Sequence, residues 1–422
     1  VLWQEAEKYP DNLMNGSSLI KNYGSRIDRL LFWSLCGLFF FIPVATSPAV
    51  IIGLLGLSLW IFSGKFITER ERWLKAKWLP PVILFMALPW IGLLWSNDIH
   101  EGLDFARKSY YWLFAFMVAS MTLSSRDVTV LLDFFIGGLV FVCCVSLLQF
   151  IGLIPMVEWL PATFSRKSII IGLLLVYGML VLSFYFSKGK GMGRTRTLSL
   201  LLIALFCLAL AIGTGRIGYL AFVLLLPLVI YNLLGQRNLV KIIIITLPLL
   251  VVFFLSPVVQ NRISLVMSDI KEYQKGNPNT SIGLRLNMWN GAIRIFLENP
   301  IIGAGTGSYM LEMKKYHHPK LDPEFQNFSE PHNSFLYMAA SFGVMGLISL
   351  SWLFLVFLKK GWVARASIPG FAVLAFGLVL LIGSLTATQI LSYATGKMFA
   401  LLMGIEIAQR DERQGIAFNR NY

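Results

Sequence analysis

His332 is the residue best placed to do chemistry in this chain. It stands in Glu330-Pro331-His332-Asn333-Ser334, immediately before a long apolar run. An imidazole titrates near neutrality, so it can take a proton from a hydroxyl nucleophile at ambient pH. Glu330 is close enough in sequence to orient it, and Asn333 on the other side is a further candidate contact for substrate. The same position also suits an interfacial histidine that only caps the following helix. His317 and His318, set among Lys314, Lys315 and Lys320, read as solvated loop surface. His100 has no supporting context.

The cations come next. Arg216 lies in Gly213-Thr214-Gly215-Arg216-Ile217-Gly218, a tight turn whose glycines let a bulky group approach. Arg285 opens a helical pattern further on. Guanidinium groups stay charged and grip phosphate oxygens in pairs. Two of them beside a base suit a pyrophosphate; each alone also suits a lipid headgroup contact. Arg107 and Lys108 end another loop and add to the same field. Lys397 sits inside an apolar run, where a charge faces a cavity or partner, or snorkels to the edge.

Other chemistries find no support. Gly303, Gly305 and Gly307 form a GxGxG run, but no strand precedes it, so it reads as a tight turn. No Ser-His-Asp order, paired-carboxylate cluster or CxxC stands out. No Asp-rich metal motif appears near the candidate residues, so the expectation is chemistry without a metal or cofactor.

The elements that must position these residues are apolar helices. Of the 422 residues 56% are hydrophobic and 14% charged, against about 25% charged in soluble domains. Apolar runs long enough for a bilayer recur at 28–47, 48–63, 79–95, 109–123, 130–154, 168–186, 197–214, 217–234, 239–256, 333–358, 369–386 and 391–408. The expected fold is an all-α polytopic membrane protein with about twelve spans, a single membrane domain over 1–422. Residues 1–27 are polar and too long for a leader's charged head, so a cleaved leader is not expected.

A net charge of +14 raises the question of nucleic acid. Its placement answers otherwise. Lys65, Arg70, Arg72, Lys75 and Lys77 share one short loop, Lys188, Lys190, Arg194 and Arg196 another, and Lys359, Lys360 and Arg365 a third. With a cytoplasmic N-terminus all three face the cytoplasm, the positive-inside pattern, so membrane lipid rather than nucleic acid is the partner. Cys36, Cys143, Cys144 and Cys207 all fall within spans and read as packing residues.

One interval, 257–331 between spans nine and ten, is long and faces the other side. Val259, Ile263, Val266, Met267 and Ile270 recur at helical spacing, with Gly276 as a stop. A second helix starts at the cap Thr280-Ser281, runs through Leu284, Met288, Trp289, Ala292 and Phe296, and ends before Pro300. Both helices are expected on the membrane surface or over the mouth of the bundle.

Taken in order, these segments resemble the O-antigen ligase and polymerase family. The resemblance rests on Ser281-Ile282-Gly283-Leu284-Arg285-Leu286-Asn287-Met288-Trp289, on Glu298-Asn299-Pro300-Ile301-Ile302-Gly303-Ala304-Gly305, on Pro331-His332-Asn333-Ser334-Phe335-Leu336 and on Phe342-Gly343-Val344-Met345-Gly346-Leu347. It implies transfer of a glycan from an undecaprenyl-pyrophosphate carrier at the periplasmic face of the bacterial inner membrane, with the 257–331 loop carrying part of the site. It also implies roles for a histidine matching His332 and arginines matching Arg285 and Arg216. Many ligases have a second histidine two residues earlier, where this chain has Glu330. For a ligase the acceptor is a lipid A–core sugar hydroxyl. Polymerases and protein O-oligosaccharyltransferases share the donor and differ in acceptor. The latter often carry an extra C-terminal region, and little follows the last span beyond 409–422, which ranks that acceptor lower. A transporter of lipid or solute is the reading from another class; it predicts paired broken helices with groups at mid-membrane.

Overall fold

The structure is a computed structural model that describes residues 26–155, 168–189, 193–213, 215–235, 239–255 and 257–418. Lys190, Thr214 and the residues ahead of position 26, used above in reading loops and termini, lie outside the described residues.

Among the described residues all regular structure is helical, and helix occupies every apolar segment read from the sequence. In chain order these are α1 (Arg26–Val44), α2 (Thr46–Phe62), the short α3 (Lys65–Thr68) and α4 (Arg70–Leu74), α5 (Leu79–Ile91), α6 (Ile99–Arg107) and α7 (Leu113–Ala119). There follow α8 (Ser125–Phe150), α9 (Ser168–Lys188), α10 (Gly193–Ile212), α11 (Arg216–Leu234) and α12 (Leu239–Phe254). The 257–331 interval supplies α13 (Pro257–Gln274), α14 (Ser281–Glu298) and α15 (Tyr309–Met313). Last come α16 (Ser334–Val363), α17 (Ile368–Ser384) and α18 (Tyr393–Phe418). Six of them, α1, α8, α9, α10, α11 and α16, are long and apolar enough to cross a membrane.

The bundle is packed through aromatic rings. Tyr177 of α9 meets Phe135 of α8 and Phe376 of α17 at centroid distances of 5.3 and 5.2 Å. Phe184 of α9 stacks on Phe371 of α17 at 4.4 Å. The outward faces stay apolar: Ile243, Ile244 and Leu247 of α12 are all more than half exposed. A surface of that kind belongs against hydrocarbon rather than water, and the chain is a helical, multi-pass membrane protein. Cys36 and Cys143 pack inside it, whereas Cys144 faces outward, so packing does not explain that thiol.

In the 257–331 interval, α13 is followed by Gly276 with φ +84, and the Thr280 hydroxyl caps α14 by accepting from Gly283 N at 3.1 Å. α13 rests against α10, α12 and α14, and α14 packs on α16. The chain then dives inward, and residues 303–308 are all buried. Ala304 N and Gly305 N donate to Ala340 O and Ser341 O at 2.9 and 3.0 Å, while Thr306 N reaches Gly92 O at 3.1 Å.

These bonds complement a break in α16. At Gly343 the backbone leaves the helix (φ 61, ψ −147), and Val344 N donates to Pro300 O at 2.8 Å. A Cβ at position 343 would lie 2.5 Å from Pro300 O, so only glycine fits. The GxGxG run is therefore more than a turn. Its backbone satisfies groups that an interrupted helix would leave unpaired away from water.

Candidate active site

Arg216 is the first residue of α11. Gly215 precedes it in extended conformation, and the Tyr219 hydroxyl donates to Gly213 O, closing the turn. Gly218 lets α11 meet α9 backbone to backbone, since a Cβ there would lie 2.8 Å from Gly172 Cα. The Arg216 side chain thus emerges under α13, where Asp269 waits. Arg216 Nη1 and Asp269 Oδ2 are 3.6 Å apart, too far for a hydrogen bond. Both atoms are buried without a hydrogen-bond partner.

Arg285, in the first turns of α14, joins the same patch. Burial pulls its guanidinium below the ordinary value, the nearby charge of Arg216 adds to the effect, and Asp269 opposes it. Two cations thus share one anion. A half-buried pair of guanidiniums that shares one carboxylate favours a ligand rich in negative oxygens.

His332 is held from both sides. Asn333 Oδ1 caps α16, accepting from Phe335 N and Leu336 N at 2.9 and 3.1 Å. Its Nδ2 donates to Leu385 O at 2.9 Å. Capping therefore belongs to Asn333, not to the histidine, and its amide is occupied in fixing the turn. On the other side, Trp289 Nε1 of α14 donates to Pro331 O at 3.0 Å. Between these anchors His332 has φ +51, the one positive value at a non-glycine among the described residues. Such a conformation costs on the order of 1–3 kcal/mol and persists because its neighbours impose it.

That backbone brings the imidazole to Glu330, with Nδ1 and Oε1 3.3 Å apart. A carboxylate on Nδ1 favours the tautomer with the proton there and leaves Nε2 as the acceptor. Trp289 lies four residues after Arg285, one helical turn or about 6 Å along the same face of α14. One helix face thus carries a phosphate-binding candidate and the clamp on the candidate base. Sequence reasoning missed both Asp269 and the clamp. Asp269 was one acid among many in a balanced loop, and Trp289 looked like an apolar helix position.

Other candidates stand apart. Arg107 is exposed and pairs with Asp104 at 3.2 Å, on its own helix. Lys108 heads a 3-10 turn, Lys108–Trp112. Among the described residues no hydrogen bond or ion pair brings either to Arg216 or Arg285. Lys397 does not snorkel: it is 0% exposed, and its Nζ has no hydrogen-bond partner. His317 and His318 are half-buried rather than solvated. His318 Nδ1 accepts from Lys320 N at 3.2 Å, and burial together with Lys314 pushes the His317 imidazole down.

Comparison with known proteins bears on this region. Over 94 residues the chain is 33% identical to an uncharacterized protein of Haemophilus influenzae. That match covers 22% of this chain and 24% of the relative, so the chain spans about a quarter of the length of the curated relative it matches. Residues 200–351 match the family model described as O-Antigen ligase. The matched stretch, about a third of the chain, contains Arg216, Asp269, Arg285, Glu330 and His332, and over it the chain is similar to the O-antigen ligase family.

Proposed function

We propose that the protein transfers O-antigen glycan from undecaprenyl pyrophosphate to a lipid A–core hydroxyl at the periplasmic face of the inner membrane. The observation that carries this reading is the pairing of Arg216, whose Nη1 is buried and unbonded, with Arg285, one helix turn from the Trp289 clamp on His332. In this reading about twelve spans hold the site, with 257–331 on the periplasmic side.

The reaction is a single displacement. The acceptor hydroxyl oxygen attacks the anomeric carbon while His332 Nε2 takes its proton. The bond from that carbon to the pyrophosphate oxygen breaks, and configuration inverts. Arg216 and Arg285 stabilise the charge gathering on the departing pyrophosphate. Glu330 holds the imidazole by its Nδ1 side and leaves Nε2 free to accept the proton. Pyrophosphate leaves readily once its charge is met, so neither a general acid nor a metal is required. Arg107, Lys108, Lys397 and Asn333 have no part in the displacement.

The test is a reconstituted assay. Purified protein receives lipid-linked donor with lipid A–core, donor alone, or donor with an acceptor protein, each with and without EDTA. Glycan on lipid A–core only, unchanged by EDTA, is the expected result. Longer lipid-linked glycan from donor alone would make it a polymerase, and glycosylated protein an oligosaccharyltransferase. Activity lost to EDTA and restored by magnesium would contradict the metal-free step.

A further inference from the structure

Leu297, in the last turn of α14, is 67% exposed, and Ile301, in the turn that follows, is 71% exposed. Ile293 and Ile302 beside them face outward too. A contiguous apolar row of this kind calls for a cover, and the bonds of the turn show where the row lies. Val344 N of α16 donates to Pro300 O at 2.8 Å, and a Cβ at Gly343 would lie 2.5 Å from Ile301 O. The turn is therefore pressed onto α16 at the helix break.

The depth follows from α16. Lys359 and Lys360 mark its end at one edge of the bilayer. Val344 precedes Lys359 by fifteen residues, about 22 Å of helix at 1.5 Å per residue. A hydrocarbon core about 30 Å thick thus reaches about 8 Å beyond Val344. Leu355, Trp352, Ile348, Met345 and Val344 form an exposed row up α16, and Ile301 and Ile302 continue it. On the far side of the turn, a Cβ at Gly305 would lie 3.0 Å from Gly92 O, and Trp90, Ile91 and Leu94 around that end of α5 are exposed as well.

Polar groups of the stretch turn inward. Ile293 and Leu297 share one face of α14, Arg294 and Glu298 another, 100° round. Tyr316 meets that second face: the Arg294 guanidinium lies 5.9 Å from its ring, and its hydroxyl is hydrogen-bonded to Glu298. Pro300 has no N–H, its carbonyl takes Val344 N, and Gly303 N donates to Asn299 O at 2.9 Å. Hydrocarbon requires such internal pairing.

We infer that residues 297–302 form a wedge inside the bilayer, with Leu297, Ile301 and Ile302 against the acyl chains of its lipids. Continuity with the outward row of α16 selects acyl chains over a protein partner. The expectation from sequence put this stretch on the membrane surface or over the bundle; the bond from Val344 to Pro300 carries it below the surface. One end of α14 is then fixed by lipid, and Arg285 lies twelve residues back along the same helix. The inference rests on α16 crossing the membrane, not on the glycosyl-transfer reading.

Spin labels on single cysteines test it, in full-length protein freed of its native cysteines and placed in phosphatidylethanolamine–phosphatidylglycerol vesicles. Labels go to Leu297→Cys, Ile301→Cys and Ile302→Cys, with Ile348→Cys as the lipid-facing reference and Lys275→Cys as the aqueous one. All five side chains are exposed, so no label disturbs the packed core. Collisions with oxygen, which concentrates in hydrocarbon, are compared with collisions with a water-soluble nickel chelate. Oxygen should exceed the chelate several-fold at 297, 301 and 302, as at 348, with the opposite balance at 275. A chelate that reaches 301 and 302 as freely as 275 would overturn the proposal, because the turn would then lie in water. Shielding of these labels from both reagents would overturn it too, because a neighbouring protein would then be the cover.

Discussion

Glu330 Oε1 lies 3.3 Å from His332 Nδ1 across a backbone bend that only this histidine, among the described non-glycine residues, adopts. The carboxylate thus stands two residues before the histidine and holds it from that side. His332→Ala should lower turnover by about 10²–10⁴-fold and leave donor binding largely intact, measured as ligation rate beside binding of the lipid-linked donor. Glu330→Gln keeps an acceptor oxygen near Nδ1 and should lose less than Glu330→Ala. Near-normal turnover in His332→Ala, with none in Glu330→Ala, would make the glutamate the base.

The arginine pair should behave differently. Arg216→Ala and Arg285→Ala should weaken both donor binding and turnover, because pyrophosphate is present in ground and transition states alike. Lysine at either position should rescue only in part, since it keeps the charge without the planar fork. Asp269→Asn removes the acid 3.6 Å from Arg216. It should tighten donor binding a few-fold, by relieving repulsion of the incoming anion, and lower turnover by loosening Arg216. A titration in which Asp269→Asn weakens donor binding would remove the acid from this role.

Trp289→Phe retains the ring and deletes the N–H that holds Pro331 O. A single hydrogen bond of this kind is worth about 0.5–1.5 kcal/mol. The expected loss of turnover is therefore several-fold, with donor binding unchanged. Donor binding that falls in step with turnover would mean that the indole supports Arg285 instead.

Orientation can be read with thiol labelling. Lys275 and Lys75 are both well exposed, 71% and 79% by side chain. In a variant lacking the native cysteines, an impermeant maleimide should modify Lys275→Cys in intact spheroplasts and leave Lys75→Cys untouched. The opposite labelling would turn His332 towards the cytoplasm and end the periplasmic reading.

Helices were the legible part of the fold, because burial in lipid requires continuous apolar runs and their lengths mark themselves. The two loop helices were equally plain, since a cap at Thr280 and a stop at Gly276 punctuate an apolar period. The break at Gly343 was not. Its cause is a strand of chain forty residues earlier, and no local pattern in α16 announces a distant donor. The site was half legible. Arg216, Arg285 and His332 carry unusual residue types in unusual settings. Asp269 and Trp289 matter only through what folds against them, and the burial of Lys397 depends on rings from two other segments as well as its own helix.

The interruption of α16 also limits how the molecule can move. Pro300, Ala304 and Gly305 are bonded into the gap, and Thr306 is tied to Gly92 and Pro89 on the neighbouring helix. Lifting the 257–331 region would strip these backbone groups of partners all at once, at a depth where water cannot replace them. The region is thus a rivet, not a lid. It should resist excision as a soluble fragment, and a substrate should reach the His332 side chain, 43% exposed, with the loop standing still.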